Sequence, residues 1–288
     1  MNDPAPAPSR GPHRPAVLWV GAADDVELAL ARTCVADLAD VVEAAAVGEL
    51  VAAAPAAFAD RTPAAILLAS PTPDRWPIAD CVAVSRRWPL GPLVSVAGSL
   101  VEGRRRSGPA LPGVEEVAWH EVAGRLAWWL DDRERGIPGG LGMPATARRE
   151  ERLVEAAARV AAFAARGGPA ISIAASRAAD LEGLAGMLIA SGRRVVRRTL
   201  GRPSLDEPSE VLIWDVGGLS AAELTWVGLL AANRPALAII LLESFPRGDV
   251  AVAAMRSGAV AVLARPVSLE TLTGTLLGLE RRRAAGAA

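Results

Sequence analysis

The sequence predicts an α/β protein of two doubly wound parallel sheets, five strands in each, joined by a linker helix. Three observations carry that expectation. Short apolar runs of strand length alternate with segments of helical periodicity along the whole chain. The alternation breaks once, near the middle, at a Gly/Pro-dense stretch over 136–147, GIPGGLGMPATA. At 288 residues the chain is also long for one domain and suits two of ordinary size.

In chain order, residues 1–14 (MNDPAPAPSRGPHR) alternate Pro and Ala with small polar residues and are expected to form a disordered tail. The first domain is expected over 15–135. Ala16 to Val20 is an apolar run fit for a buried parallel strand, and the segment from Asp24 to Leu38 has helical spacing with Asp24 placed as N-cap. Strands then follow over 40–45 (DVVEAA), 64–69 (AAILLA), 93–98 (LVSVAG) and 114–118, with helices over 47–61, 78–88 and 122–132. That makes five strand–helix units, although the stretch before the fifth strand, LVEGRRRSGPALPGVEEVAWHE, reads as an ordered loop because of Pro109, Pro112 and its glycines.

After the 136–147 linker, residues 148–167 read as a linker helix with Leu153, Val154, Ala157, Val160, Ala161 and Ala164 along one face and charges on the other. This Ala-rich face is short for a coiled coil, so the helix is expected to dock within the chain, with a homodimer contact as the alternative. Trp128 and Trp129 are adjacent on a helix, so one ring faces outward unless the linker helix covers it; an exposed Trp would mark an interface between copies. The second domain, 168–288, repeats the programme. Strands are expected over 170–175 (AISIAA), 194–199 (RVVRRT), 210–218 (EVLIWDVGG), 236–244 (ALAIILLES) and 260–266 (VAVLARP). Helices are expected over 180–192, ending on Gly192, over 221–235 and 249–259, and over 268–283 with its cations at the C-terminal end.

Composition narrows the function classes. Hydrophobic residues make up 51% and charged residues 22%, as in a globular protein. With 31 basic against 32 acidic residues, no overall basic field draws nucleic acid or anionic lipid, and no apolar run reaches the roughly 18 residues of a membrane helix. A cytoplasmic location is expected. Cys34 and Cys81 lie in apolar helical patterns and read as free thiols; with His13 and His120 the only histidines, neither a metal site nor a cofactor is expected. There is no P-loop, and GGLGM falls in the linker rather than in a strand-to-helix turn. A single histidine outside the tail leaves no Ser/His/Asp set, so the chain is not read as an enzyme. Lys, Tyr and Gln are absent while Ala, Arg, Gly and Pro abound, so an Arg standing where Lys would serve is weighed against compositional drift.

Two signatures in the second half, EVLIWD ending on Asp215 and MRSGAVAVLARPVSLETL containing Arg265 and Pro266, resemble the response-regulator receiver family, a flavodoxin-like fold. The resemblance covers about Ile171 to Leu279. It implies that Asp215 holds the phosphoacceptor place and that Arg265-Pro266 holds the family's Lys-Pro place. The two acids that would help hold Mg²⁺ are replaced by Ala175 and Ser176, and the phosphoryl-contacting hydroxyl by Glu243, with Ser244 beside it. Asp215 is thus read either as a residual phosphoacceptor or as a strand-end acid paired with Arg265; Asp180 is read as an ordinary early-helix acid.

The first half resembles the same family more faintly. Gly21 and Ala22 stand in its acid places, Ala69 in its acceptor place, and Trp119 and His120 near its Lys-Pro place, so nothing remains to phosphorylate. Its candidate partner or anion site is a rim formed by Glu102, Arg104, Arg105, Arg106, Trp119 and His120, because guanidinium groups grip carboxylates and phosphates and open α/β sheets bind ligands at this edge. The alternative is a solvated loop with Trp119 as packing. Together these readings predict a non-catalytic tandem pseudo-receiver that contacts an unidentified signalling protein, with a response regulator phosphorylated on Asp215 as the alternative.

Overall fold

The computed structural model describes residues 14–101, 113–137 and 149–286. The first domain contains β1 (Ala16–Val20), α1 (Val26–Ala36), β2 (Asp40–Ala44), α2 (Val47–Ala52), β3 (Ile66–Ser70), α3 (Ile78–Arg87), β4 (Leu93–Ala97), β5 (Glu115–Ala118) and α4 (Val122–Glu134). The linker helix is α5 (Arg149–Ala164). The second domain contains β6 (Ile171–Ala175), α6 (Ala178–Ala190), β7 (Val195–Leu200), β8 (Val211–Gly217), α7 (Ala221–Asn233), β9 (Ala238–Glu243), α8 (Gly248–Arg256), β10 (Ala259–Ala264) and α9 (Leu269–Gly286). The sheets run β2-β1-β3-β4-β5 and β7-β6-β8-β9-β10, parallel throughout, which is the doubly wound order expected twice over. The central strands β1, β3, β4 and β6 are buried on both faces, which is why they read as unbroken apolar runs.

Local chemistry sets the element ends, and it moves some of them from their expected places. Asp25, not Asp24, caps α1: its carboxylate accepts from the backbone N–H groups of Glu27 at 2.8 Å and Leu28 at 3.4 Å. The helix expected over 47–61 stops at Ala52 and resumes only as a 3₁₀ turn over Ala56–Phe58, because Pro55 cannot continue an α-helix. Ser220 and Glu223 form a reciprocal capping box that starts α7. Gly192, at φ +73°, ends α6 in the left-handed conformation that a β-carbon disfavours. The 1–13 part of the expected tail, the 102–112 loop and most of the 136–147 linker lie outside the described residues.

The two domains meet along α4 and α9, with α1 packed against α8. A glycine on each helix permits the approach. A β-carbon on Gly274 would collide with the Gly124 carbonyl oxygen and come within 2.5 Å of Trp128 Cδ1, and one on Gly124 would stand 2.9 Å from Thr275 Oγ1. The Trp128 Nε1–H donates to the Glu270 carbonyl at 3.1 Å. Arg125 bridges Glu115 of its own domain and Glu270 of the other, while Arg282 pairs with Asp37 at 3.0 Å and Arg281 with Glu134 at 2.5 Å. One continuous apolar core therefore contains Trp19 and Trp128 of the first domain together with Ile213 and Leu276 of the second.

The linker helix docks on this junction, but of the face the spacing suggested only Val160 and Ala164 are half-buried, and the Leu153 side chain lies outside what is described. Val154 is 71% exposed, and Ala157 and Ala161 also face solvent. The buried positions are Phe163, whose ring lies 5.1 Å from that of Trp128, and Arg159, which reaches Asp132 at 3.2 Å, Glu155 at 2.6 Å and Glu270 at 3.6 Å. Arg193 stacks 3.6 Å over the Phe163 ring. The surface that receives α5 is itself acidic and aromatic, so an arginine and a phenylalanine satisfy it where alanines cannot. Trp128 and Trp129 are both buried, and neither offers an exposed contact to a second copy.

The glycine contact is testable. Gly274→Ala is expected to cost about 1–3 kcal/mol of stability in urea denaturation because the added methyl forces α4 and α9 apart. Gly183→Ala, in α6 where nothing lies within 4 Å, is expected to stabilise by about 0.5–1 kcal/mol.

Candidate functional site

At the C-terminal edge of the second sheet, the parallel register sets Ala175 of β6 directly beside Asp215 of β8, with Leu242 of β9 on the other side. A register shift just after Asp215 brings Glu243 opposite Gly217, one step beyond the acid. Ala175 and Ser176 thus stand where carboxylates would be needed beside Asp215, and they supply none. Among the described residues, no group of three or more His, Cys, Asp or Glu is arranged to hold a metal ion.

The Asp215 side chain is 4% exposed, and Arg265 reaches its Oδ1 at 3.0 Å from Nη1. The same guanidinium reaches Asp180 at 2.9 Å from Nη2, and Asp180 is held in turn by Arg177 at 2.7 Å. Asp180 was expected to be an ordinary acid of the first helical turn. The start of α6 instead points it over the sheet edge, where it becomes the second carboxylate of the pocket. The resulting chain alternates in charge: Asp215, Arg265, Asp180, Arg177. The Arg265-Pro266 peptide, just after β10, is cis.

Burial pushes the Asp215 carboxyl up from the ordinary aspartate range, opposed chiefly by Arg265, while the neighbouring Asp180 pushes it further up. Asp180 moves the other way, held down first by its hydrogen bond with Arg177. Burial also raises Glu243, against the Leu219 N–H hydrogen bond and the more distant Arg247. Its Oε2 is buried without a hydrogen-bond partner. Ser244 is exposed, and its backbone N–H donates to the Gly217 carbonyl at 3.1 Å. An incoming phosphoryl group would meet the Glu243 carboxylate rather than a hydroxyl donor.

The equivalent edge of the first sheet is plugged. Trp76, from the segment after β3, is buried and donates from Nε1 to the Ala69 carbonyl at 2.9 Å. Its ring presses on Gly21, where a β-carbon would stand 3.0 Å from Trp76 Cζ2 and 3.3 Å from the Ala69 β-carbon. Arg75 covers the outer face of the indole at 4.6 Å. Beside it Glu27 of α1 accepts from the Ser99 backbone N–H at 2.7 Å and from the Ser99 hydroxyl at 2.6 Å. An indole fills the space that acids and a cation would otherwise share. Sequence reading passed over Trp76 because nothing local tells a loop tryptophan from a surface one.

The proposed Arg/Trp/His rim is only partly visible. Glu102, Arg104, Arg105 and Arg106 lie outside the described residues. Trp119 is not on an open rim: it is buried in the shared core, with its ring 5.3 Å from that of His120 in an edge-on contact. The chain turns into α4 right after β5, and that turn carries both side chains toward the second domain.

Two substitutions report on the Asp215 pocket. Arg265→Ala leaves a buried carboxylate unpaired and is expected to cost about 3 kcal/mol at neutral pH. Without the guanidinium the Asp215 carboxyl rises further, so the loss should shrink on acidification through that raised value, as the neutral acid tolerates burial. Glu243→Gln should act oppositely. A carboxyl raised by folding favours the folded state at low pH and disfavours it above, so the amide is expected to stabilise by about 1 kcal/mol at neutral pH and to lose that advantage as Glu243 of the parent becomes protonated. Denaturation midpoints measured across pH check both signs.

No protein-family model matches the chain, and no curated protein does. Among solved structures, it is similar to a protein described as related to pilus assembly from Burkholderia pseudomallei, with 28% identity over 40% of this chain and 89% of that one and a TM-score of 0.36. It is also similar to a response regulator with a phosphorylated aspartic acid from the same organism, with 20% identity over 41% and 73% and a TM-score of 0.34. A CheY-like receiver domain protein from Methanospirillum hungatei aligns with 15% identity over 42% and 99% and a TM-score of 0.35. Each alignment spans about the length of one of the two domains. By its own strand order, repeated in both sheets, the chain is built from two domains of the flavodoxin-like fold.

Proposed function

We propose that this chain is a non-catalytic signalling module, a tandem pseudo-receiver that acts through protein–protein contacts without being phosphorylated. The observation that carries the reading is the Arg265 bridge: the Asp215 carboxylate is already neutralised by a guanidinium, and no carboxylate at Ala175 or Ser176 stands ready to hold a divalent cation. Phosphoryl transfer to a carboxylate brings two anions together, and the cation that offsets this repulsion needs hard oxygen ligands. A guanidinium offsets charge but coordinates nothing. Glu243 at the edge of the pocket adds repulsion, and the first domain offers Ala69 where an acceptor would be.

The partner this reading implies is another signalling protein rather than nucleic acid, because the charge balance is even and the cations near the pocket are engaged in ion pairs. No helix among the described residues is long and apolar enough to cross a membrane. The test is direct. The full chain is incubated with a small-molecule phosphodonor and Mg²⁺ and followed by intact mass; no phosphoryl adduct is expected on the parent chain or on Asp215→Asn. An adduct on the parent that Asp215→Asn abolishes would favour the alternative, a response regulator phosphorylated on Asp215.

A further inference from the structure

Helices α2 and α3 cover one side of the first sheet with a core of their own, whereas α1 and α4 on the other side are taken up by the core shared with the second domain. The outer surface of this free layer is not uniformly polar. Along α3, Ile78 and Val82 recur at four-residue spacing with Arg86 and are 58% and 42% exposed. Leu90, just beyond the helix, is 84% exposed. A single exposed aliphatic residue is ordinary, but here three follow one another along one element and end among cations.

Those cations are Arg61, Arg86 and Arg87, all exposed. Two of them are held in place. Arg61 lies 5.8 Å over the Phe58 ring and donates from Nε to the Ala57 carbonyl at 2.6 Å, and Arg87 lies 5.9 Å over Trp88. Phe58 and Trp88 meet edge-on at 6.4 Å, so the two guanidinium groups flank one aromatic pair. Arg125, Arg159 and Arg265 each end on carboxylates, but among the described residues none of these three does. A guanidinium stacked on a ring, with its Nε already engaged, keeps two Nη groups to donate in the fork that matches a carboxylate.

We propose that this face of α3 docks a short acidic amphipathic segment of a partner protein, with aliphatic side chains on Ile78, Val82 and Leu90 and carboxylates on Arg61, Arg86 and Arg87. The proposal rests on the reading that the chain works through protein contacts, and it names the chemistry of the partner. Charge complementarity selects a discrete segment over an anionic membrane. The same layer carries Glu49, Asp60 and Asp80, which a sheet of anionic lipid would also press against, whereas a segment sets its carboxylates on the arginines alone.

The full chain is titrated with a fluorescein-labelled helical peptide that carries Leu at i, i+4 and i+7 and a run of Glu in its first turn, and binding is read by anisotropy. Binding is expected to weaken with added salt, and to fall about tenfold when Arg61→Ala, Arg86→Ala and Arg87→Ala are combined, the joint effect of three exposed charge pairs. Replacing the peptide's Glu by Gln, or its Leu by Ser, should weaken it similarly. Because Arg61 and Arg87 also pack on rings, Arg86→Glu is the second variant: it disturbs no ring contact, reverses one charge and should weaken binding at least severalfold. The proposal is overturned if the peptide does not bind the parent chain, if the Gln peptide binds as tightly as the Glu peptide, or if an Arg86→Glu variant shown by circular dichroism to be folded binds undiminished. Sedimentation with phosphatidylserine vesicles in place of peptide binding would assign the surface to a membrane and overturn it as well. A phosphoryl adduct on Asp215 would sink the function proposed above and leave this titration unchanged, so the two failures are told apart.

Discussion

The close crossing of α4 and α9 is the constraint on which the rest of this molecule depends. Side chains normally hold packed helices 8–10 Å apart. Here Gly124 and Gly274 face each other with backbone against backbone, and no β-carbon fits between them. That spacing lets the Trp128 indole reach the Glu270 carbonyl and lets Arg125 span Glu115 and Glu270 across the domain boundary. It also creates the surface on which Phe163 of the linker helix finds Trp128. Because one apolar core runs through the contact, the domains are not beads on a linker: separating them would expose core residues of both.

Within this shared frame the two sheets resolve the same structural difficulty differently. The C-terminal edge of a parallel sheet is where strand ends, loops and helix starts converge, and a polar pocket left there must be either filled or charge-balanced. The first domain fills it with Trp76, whose one polar atom is satisfied by the Ala69 carbonyl. The second keeps two carboxylates and balances them with Arg265, one nitrogen of the guanidinium on each acid. A lysine ammonium is a single compact charge, whereas the planar fork of arginine offers separate donors to two acids. A chain without lysine has arginine as its cation here, but composition does not account for one guanidinium reaching two acids.

Most of the fold was legible in the sequence, for a local reason. Strands buried on both faces must be apolar throughout, and helices that flank them must be apolar on one side, so AVLWV, ILLAS and VLIWD announce themselves. What was not legible depends on contacts between distant segments. The linker helix shows one apolar face by spacing, and only the acidic groups Asp132 and Glu270 decide that Arg159 turns inward. Asp180 looks like any first-turn acid until Arg265, 85 residues later, is seen to reach it. Trp119 looks like a rim residue until the second domain is placed over it. Pro55 was the exception, a local signal present in the sequence and not used to shorten α2.

These placements bear on how a signal would pass through such a molecule. A phosphorylation switch works because the modified pocket binds one conformation better than another, and the difference in free energy shifts the population. A pocket already filled by an indole has no such difference to offer, and one already bridged by a guanidinium has to break an ion pair before it offers any. On the function proposed above, with both pockets balanced internally and the domains joined through a common core, the surface they present is set by folding rather than by chemistry at a strand end. A ligand or partner that engages both domains at once is then the kind that shifts this chain most effectively. Its differential affinity acts on the α4–α9 junction, where the apolar core runs from one domain into the other.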